Sequence, residues 1–388
     1  MQGRPELRTI VQECREHGTV LLGVCPMNRR IVAACAVFAR DHGLPIVLVA
    51  SRRQVERKEL GGGYVEGWDA ATLAREVSVL DPEGWLYLGR DHAGPWQHPA
   101  DPPELAAATT SALASLREDL IAGFDLVHLD PAIAPENDRG LPAYLDRLER
   151  LHTGYAALCR ELGVHPLLEL GPEDRDVPVG SVSWYKTLLE LAATRMPADL
   201  VVGHAGLLVQ GRGNLFRRLL PHREALLTEV LGLAQTAGLS SKLHNADYLP
   251  TTVLRLLAAR GCTAVNIGPS LVTAQTETWL ELCLTSGRVD LAEALIEGVQ
   301  TSAYWKKWIV PGTRPSPRDK AVLAAHYLQQ DPRVIALDEE LEDVLRRAGL
   351  DLEAELARPV EAELLRLAQS LGWLRRPLSA RSRRASTP

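Results

Sequence analysis

The sequence predicts a (β/α)8 TIM barrel with a C-terminal helical extension, and three observations carry that prediction. Short, nearly continuous apolar runs recur along the chain, long segments of helical periodicity separate them, and the rhythm stops near residue 300. Apolar runs bounded by Gly, Pro and Asp suit strands of a parallel sheet covered on both faces. Strict alternation of strand and helix requires parallel strands joined by right-handed crossovers. Eight such units close most economically into a barrel. A doubly wound open sheet is the alternative, but it calls for a Gly-rich dinucleotide turn after the first strand, and GVCPMN is no such turn.

The expected strands, in order, are TVLLGVC at 19–25, PIVLVA at 45–50, WLYLG at 85–89, DLVHLD at 125–130, HPLLEL at 165–170, DLVVGH at 199–204, KLH at 242–244 (the weakest) and TAVNIG at 263–268. Between them lie helical patterns such as RRIVAACAVFARDHG, ELAAATTSALASLREDLIAG and NLFRRLLPHREALLTEVLGLAQTAG. Several end in Gly where a helix C-cap is expected. The barrel is placed at 1–300 and the packed helical extension at 301–374. The basic Pro/Ser-rich end at 375–388 is expected to be a disordered tail.

Composition narrows the function. At 46% hydrophobic and 24% charged residues, the chain has ample material for a globular core. A net charge of −6 offers no general attraction to nucleic acid or anionic membrane. No run approaches a membrane span and the N-terminus lacks an apolar signal core, so a cytoplasmic location is expected. The six cysteines form no CxxC pair and read as reduced thiols, with Cys35 and Cys283 in the core and Cys25 in core or rim packing.

In a barrel of this kind the reactive side chains gather where strands end. Those positions hold Asp91-His92 after strand three, His128 and Asp130 on strand four, Glu169 on five, His204 on six, His244-Asn245 on seven and Asn266 on eight. A lone rim histidine is ordinarily just hydrogen-bonded. Three of them beside carboxylates favour a metal. His92, His204 and His244 are therefore expected to hold Zn²⁺ or another divalent ion that polarises a carbonyl. Asp91, pointing differently from its neighbour, is the candidate general acid/base. His128, Asp130, Glu169, Asn245 and Asp247 are candidates to orient ligands or touch substrate. Lys242 lies on the same strand face as His244 and could form a Schiff base or pair with a carboxylate. Backbone N–H groups around Gly211 and Gly213, and around Asn266, Gly268 and Ser270, are expected to open helices and bind phosphate. Gly61-Gly62-Gly63-Tyr64 reads as a mobile rim loop and does not match a nucleotide P-loop.

Several strings then point to a family. Gly62-Gly63-Tyr64, Gly89-x-Asp91-His92-x-Gly94-Pro95, His128-Leu129-Asp130, His244-x-x-Asp247-Tyr248, Gly268-Pro269 and Tyr304-Trp305-Lys306-Lys307 occur in this order between about 20 and 310. The chain resembles the D-tagatose-1,6-bisphosphate aldolase class II non-catalytic subunit family, also labelled tagatose-6-phosphate kinase-like. That family is similar in turn to zinc-dependent class II aldolases. The resemblance implies metal ligands at His92, His204 and His244, and proton transfer by Asp91. It places a phosphate loop at Asn266 to Ser270, with the metal stabilising the enediolate of a phosphorylated ketose. Leu168-Glu169-Leu170-Gly171-Pro172 and His244-Asn245-Ala246-Asp247 depart from the family's strings. The expected activity is a metal-dependent aldolase-type lyase acting on a sugar such as tagatose 1,6-bisphosphate. A non-catalytic subunit that supports a separate class II aldolase is the alternative, a sugar kinase comes third, and an oligomer is expected.

Overall fold

The computed structural model describes residues 4–135, 140–172, 182–218, 222–310 and 312–375. The expected strands correspond to eight parallel strands: β1 (Leu21–Val24), β2 (Ile46–Ser51), β3 (Leu86–Ala93), β4 (Leu126–Leu129), β5 (Leu167–Leu170), β6 (Leu200–Val202), β7 (Ser240–Leu243) and β8 (Ala264–Ile267). Each pairs with its sequence neighbours and β8 returns to β1, so the sheet is a closed barrel rather than an open one. The tail from 376 onward and the segment 173–181 lie outside the described residues.

Helix α1 (Leu7–His17) covers the N-terminal end of the barrel. Its Leu7 and Val11 join Leu21, Val47, Leu126, Leu167 and Leu200 in one apolar core. Beside it, Arg4 pairs with Asp125 and Arg8 with Asp199, at the starts of β4 and β6. The wall begins with α2 (Arg29–His42), whose start is capped by the Asn28 side chain accepting from Ile31 N and whose end is closed by Gly43 at φ 64°. It continues through α3 (Ala70–Leu80), α4 (Leu105–Ile121), α5 (Leu141–Leu162), α6 (Val182–Thr194), α7 (His222–Thr236), α8 (Thr251–Ala259) and α9 (Pro269–Thr285).

After α9 come α10 (Val289–Ser302), α11 (Pro317–Ala324), α12 (Pro332–Arg347) and α13 (Leu352–Ser370). The first three, with Leu352 and Leu356 at the start of α13, build a separate apolar cluster on Trp279, Leu280 and Cys283 of α9. The rest of α13 returns to the barrel: Val360, Leu364 and Leu367, with Leu371 just after it, belong to the main core, and Trp373 Nε1 donates to Val20 O at 2.6 Å. Burial of that apolar stripe makes the last helix part of the barrel wall.

The rim differs from expectation in two places. The segment 210–214 opens no α-helix: Val209–Gln210 and Gly213–Asn214 form a small antiparallel ribbon, and only a short 3-10 turn, Leu215–Arg218, follows it. Gly61 to Tyr64 is packed down, with Gly63 N–H on Trp68 O and Tyr64 N–H on Arg53 O. A Cβ at Gly63 would lie 1.9 Å from Gln54 O, so glycine there permits close backbone contact rather than looseness.

Candidate metal centre

At the C-terminal mouth of the barrel, Asp91, His92, His128 and His244 come together. One ligand atom from each lies within 4.8 Å of all the others. The three imidazoles form a near-regular triangle, with ring centroids 4.9, 5.0 and 5.2 Å apart.

Asp91 and His92 are consecutive, and on a regular strand they would face opposite sides. The β3–β4 register shifts between Arg90 and Ala93, and His92 adopts φ 49°. This bulge and left-handed residue turn both side chains to the same centre, the kind of local strain that functional sites retain. Arg90 points outward and grips Asp119 of α4 at 2.6 and 2.7 Å. Gly94 completes the turn, because a Cβ there would lie 2.2 Å from Asp130 O.

The outer nitrogen of each imidazole is fixed by an acceptor. His92 Nδ1 lies 2.7 Å from Asp130 Oδ2, His128 Nε2 donates to Gly171 O at 2.7 Å, and His244 Nε2 donates to Glu169 Oε1 at 2.8 Å. In the neutral rings those hydrogen bonds leave the inner nitrogens as electron-pair donors. The inner nitrogens face Asp91: His128 Nδ1 at 3.1 Å, His92 Nε2 at 3.5 Å and His244 Nδ1 at 3.9 Å. His128 Nδ1 also receives the backbone N–H of His92 at 3.2 Å, so imidazole nitrogens and a carboxylate crowd one spot that a proton or a cation would stabilise. Outer N–H groups anchored on carboxylates or a carbonyl are the usual arrangement behind metal-bound histidines. The donor set therefore fits a divalent cation.

Electrostatics support ionised carboxylates. Burial opposes the charge on Asp91, but the positive charge of the His92 and His244 rings when protonated, the His128 hydrogen bond and Lys242 outweigh it and hold the carboxyl well below its ordinary range. Burial likewise opposes charge on Glu169, yet Lys242, His128 and His244 bring its carboxyl down to about 2. Lys242 Nζ sits 2.6 Å from Glu169 Oε2, so the lysine takes the carboxylate-paired role of its two expected roles.

The other expected residues are distributed as follows. Asp130 is fully buried, receiving His92 and, on Oδ1, the N–H of Ala132. Asn266 donates weakly to Asp91 Oδ2 at 3.5 Å, and Gly23 on the neighbouring strand leaves room for its side chain. Asn245 turns the chain after His244 with φ 58°. His204 stands outside the four-residue cluster, a departure from the expected triad. Its Nε2 donates to Pro172 O at 2.9 Å, its Nδ1 is buried without a hydrogen-bond partner among the described residues, and burial pushes its pKa down to about 4. His128 stands with the cluster instead. It lies two residues beyond the inward Leu126, and Leu126 is level with Gly89 on β3, so His128 and Asp91 fall in one layer.

The expected phosphate loops are occupied by the chain itself. Asp247 Oδ1 accepts from Gly268 N at 3.0 Å and Ser270 N at 2.8 Å, so a carboxylate already holds the N-terminus of α9. Gly211 N–H donates to Trp308 O at 2.9 Å, and Gly213 pairs with Gln210 in the ribbon. These N–H groups are thus not arranged around an open anion seat.

No family model matches the chain. The D-tagatose-1,6-bisphosphate aldolase subunit GatZ of Salmonella agona (strain SL483) is 24% identical over 333 residues, covering 75% of each chain. A probable tagatose 6 phosphate kinase from Sinorhizobium meliloti 1021 superposes with a TM-score of 0.72 at 21% identity, covering 90% of this chain and 100% of that one. The glycerol-complexed fructuronate-tagaturonate epimerase UxaE from Cohnella laeviribosi gives 0.59 at 13% identity, covering 94% and 85%. The two structures share the barrel fold. Among the described residues no helix is long and apolar enough to cross a membrane. The three-histidine, one-aspartate cluster at the mouth of such a barrel can coordinate a divalent metal and is consistent with class II aldolase-type chemistry.

Proposed function

We propose that this chain is a divalent-metal-dependent lyase of the class II aldolase type, cleaving and forming a carbon–carbon bond in a phosphorylated ketose such as tagatose 1,6-bisphosphate. The observation that carries the proposal is the set of imidazoles whose outer nitrogens are anchored and whose inner nitrogens converge on Asp91. The name of the Salmonella relative supplies the substrate class. A bound Zn²⁺ or similar ion would polarise the ketose carbonyl and offset charge developing beside it.

The chain's own groups do the rest. Asp91, kept ionised, accepts a proton from a substrate hydroxyl at its Oδ atoms and returns it in the reverse direction. Asn266 Nδ2 steadies Oδ2 of that carboxylate. Glu169, paired with Lys242, holds the His244 ring in place. The burial of Asp91, Glu169 and His128 keeps water away from the reacting atoms.

The test is direct: metal analysis of the purified protein, then assay of tagatose 1,6-bisphosphate cleavage into two three-carbon products. Retention of a divalent ion and cleavage that Asp91→Asn lowers about 10²- to 10⁴-fold are expected. A protein that binds no divalent ion after reconstitution sinks the proposal, and an epimerised sugar without cleavage assigns a different reaction. The word "subunit" in the relative's name favours one second reading, a supporting partner of a separate aldolase. On that reading Asp91→Ala leaves the assembled complex fully active.

A further inference from the structure

Buried arginines in this fold come with partners. Arg52 binds Glu56 and Asp101, Arg90 binds Asp119, and Arg147 donates to Pro131 O. Arg223 does not follow that rule. It is 6% exposed, and among the described residues it forms no hydrogen bond or ion pair, its Nη1 being buried without a partner. A guanidinium withdrawn from water without a counter-charge is costly, and the cost falls once an anion arrives.

Its surroundings suit an anion. Arg223 lies in the first turn of the 15-residue helix α7, where the helix dipole favours negative charge. Gly206, at φ 78° in the loop after β6, lies against the guanidinium, and a Cβ at that position would overlap it. That loop starts at His204, on the same end of the barrel as the metal centre. Barrels of this type place substrate groups on that face.

We propose that Arg223, with the first turn of α7, binds the phosphate of the substrate. The inference rests on the phosphorylated-ketose reading above and relocates its anion contact. The N–H groups of Gly211, Gly268 and Ser270 already serve the chain, whereas Arg223 Nη1 has no acceptor among the described residues. A planar guanidinium matches two phosphate oxygens at once, which lysine cannot reproduce.

The experiment titrates inorganic phosphate into the metal-loaded full chain and into Arg223→Gln and Arg223→Lys, by calorimetry and by thermal unfolding. Phosphate is expected to bind the natural protein and raise its unfolding midpoint. Arg223→Gln should weaken binding about 100-fold, the loss of two charge-assisted hydrogen bonds, with Arg223→Lys in between. In phosphate-free buffer Arg223→Gln should unfold no earlier than the natural protein, because an unpaired buried charge has been removed. Equal phosphate affinity in all three proteins, no binding to the natural one, or a variant destabilised without phosphate each overturns the assignment. The readout needs no turnover, so phosphate binding by a chain without lyase activity refutes the functional reading alone. Ketose cleavage with an unchanged KM in Arg223→Gln refutes the Arg223 role alone.

Discussion

Glu169 holds an ammonium and an imidazole N–H in a fully buried position, and replacing it separates stability from metal affinity. Its Oε2 receives Lys242 Nζ at 2.6 Å and its Oε1 receives His244 Nε2 at 2.8 Å. Glu169→Leu conserves volume but leaves the Lys242 ammonium, 2% exposed, without its counter-charge. Breaking a buried pair from one side costs about 3–5 kcal/mol. Adding Lys242→Met removes the stranded charge, so the double variant should recover most of that loss. Metal affinity follows the other oxygen. Without an acceptor for Nε2–H the His244 ring loses its orientation, and affinity should fall about 10- to 100-fold in the single and the double variant alike. Urea unfolding of the metal-free proteins, followed by the fluorescence of the eight tryptophans, measures the first effect, and metal titration measures the second. A single variant destabilised by less than about 1 kcal/mol refutes the charge argument. Restoration of metal affinity by Lys242→Met refutes the separation of roles.

His128→Ala and His204→Ala discriminate the observed cluster from the triad expected from strand ends: loss of metal binding of about 100-fold or more is expected for the first, and a smaller loss for the second, by metal competition titration. Gly94→Ala drives a Cβ toward Asp130 O, so it should cost about 1–3 kcal/mol and weaken metal binding by displacing the partner of His92, read by unfolding and by titration. His326 is buried with neither ring nitrogen hydrogen-bonded among the described residues, and burial together with Lys307 pushes its pKa down to about 3. The unfolded chain protonates this imidazole near pH 6.5 while the fold resists down to about 3. Its contribution is therefore present above 6.5 and lost as the pH falls through that window, with a ceiling of roughly 4–5 kcal/mol. His326→Phe should flatten the acid limb of a stability-versus-pH curve, and an unchanged slope between pH 6.5 and 3 excludes this cause.

The alternation of apolar runs and helical periods was enough to specify the barrel, because covering both faces of a parallel sheet leaves an unmistakable pattern in the strands. Even KLH at 242–244 marked a real strand, though Ser240 and Ser241 hid its beginning. Strand ends likewise brought Asp91, His92 and His244 to attention, since polar groups are rare at such positions without a use. Three features required the tertiary structure. The stagger between strands set His128 level with Asp91 and left His204 on Pro172 O, and stagger is a property of strand pairs rather than of any one strand. The bulge at His92 reversed the usual alternation, which no residue count predicts. Competition for N–H groups gave the α9 terminus to Asp247, whereas Arg223 Nη1, silent in the sequence, is left without an acceptor among the described residues. Sequence therefore determined which chemistry was available at the barrel mouth. Only the packing decided which of those groups face each other, because hydrogen bonds and charges act over a few ångströms in space and not along the chain.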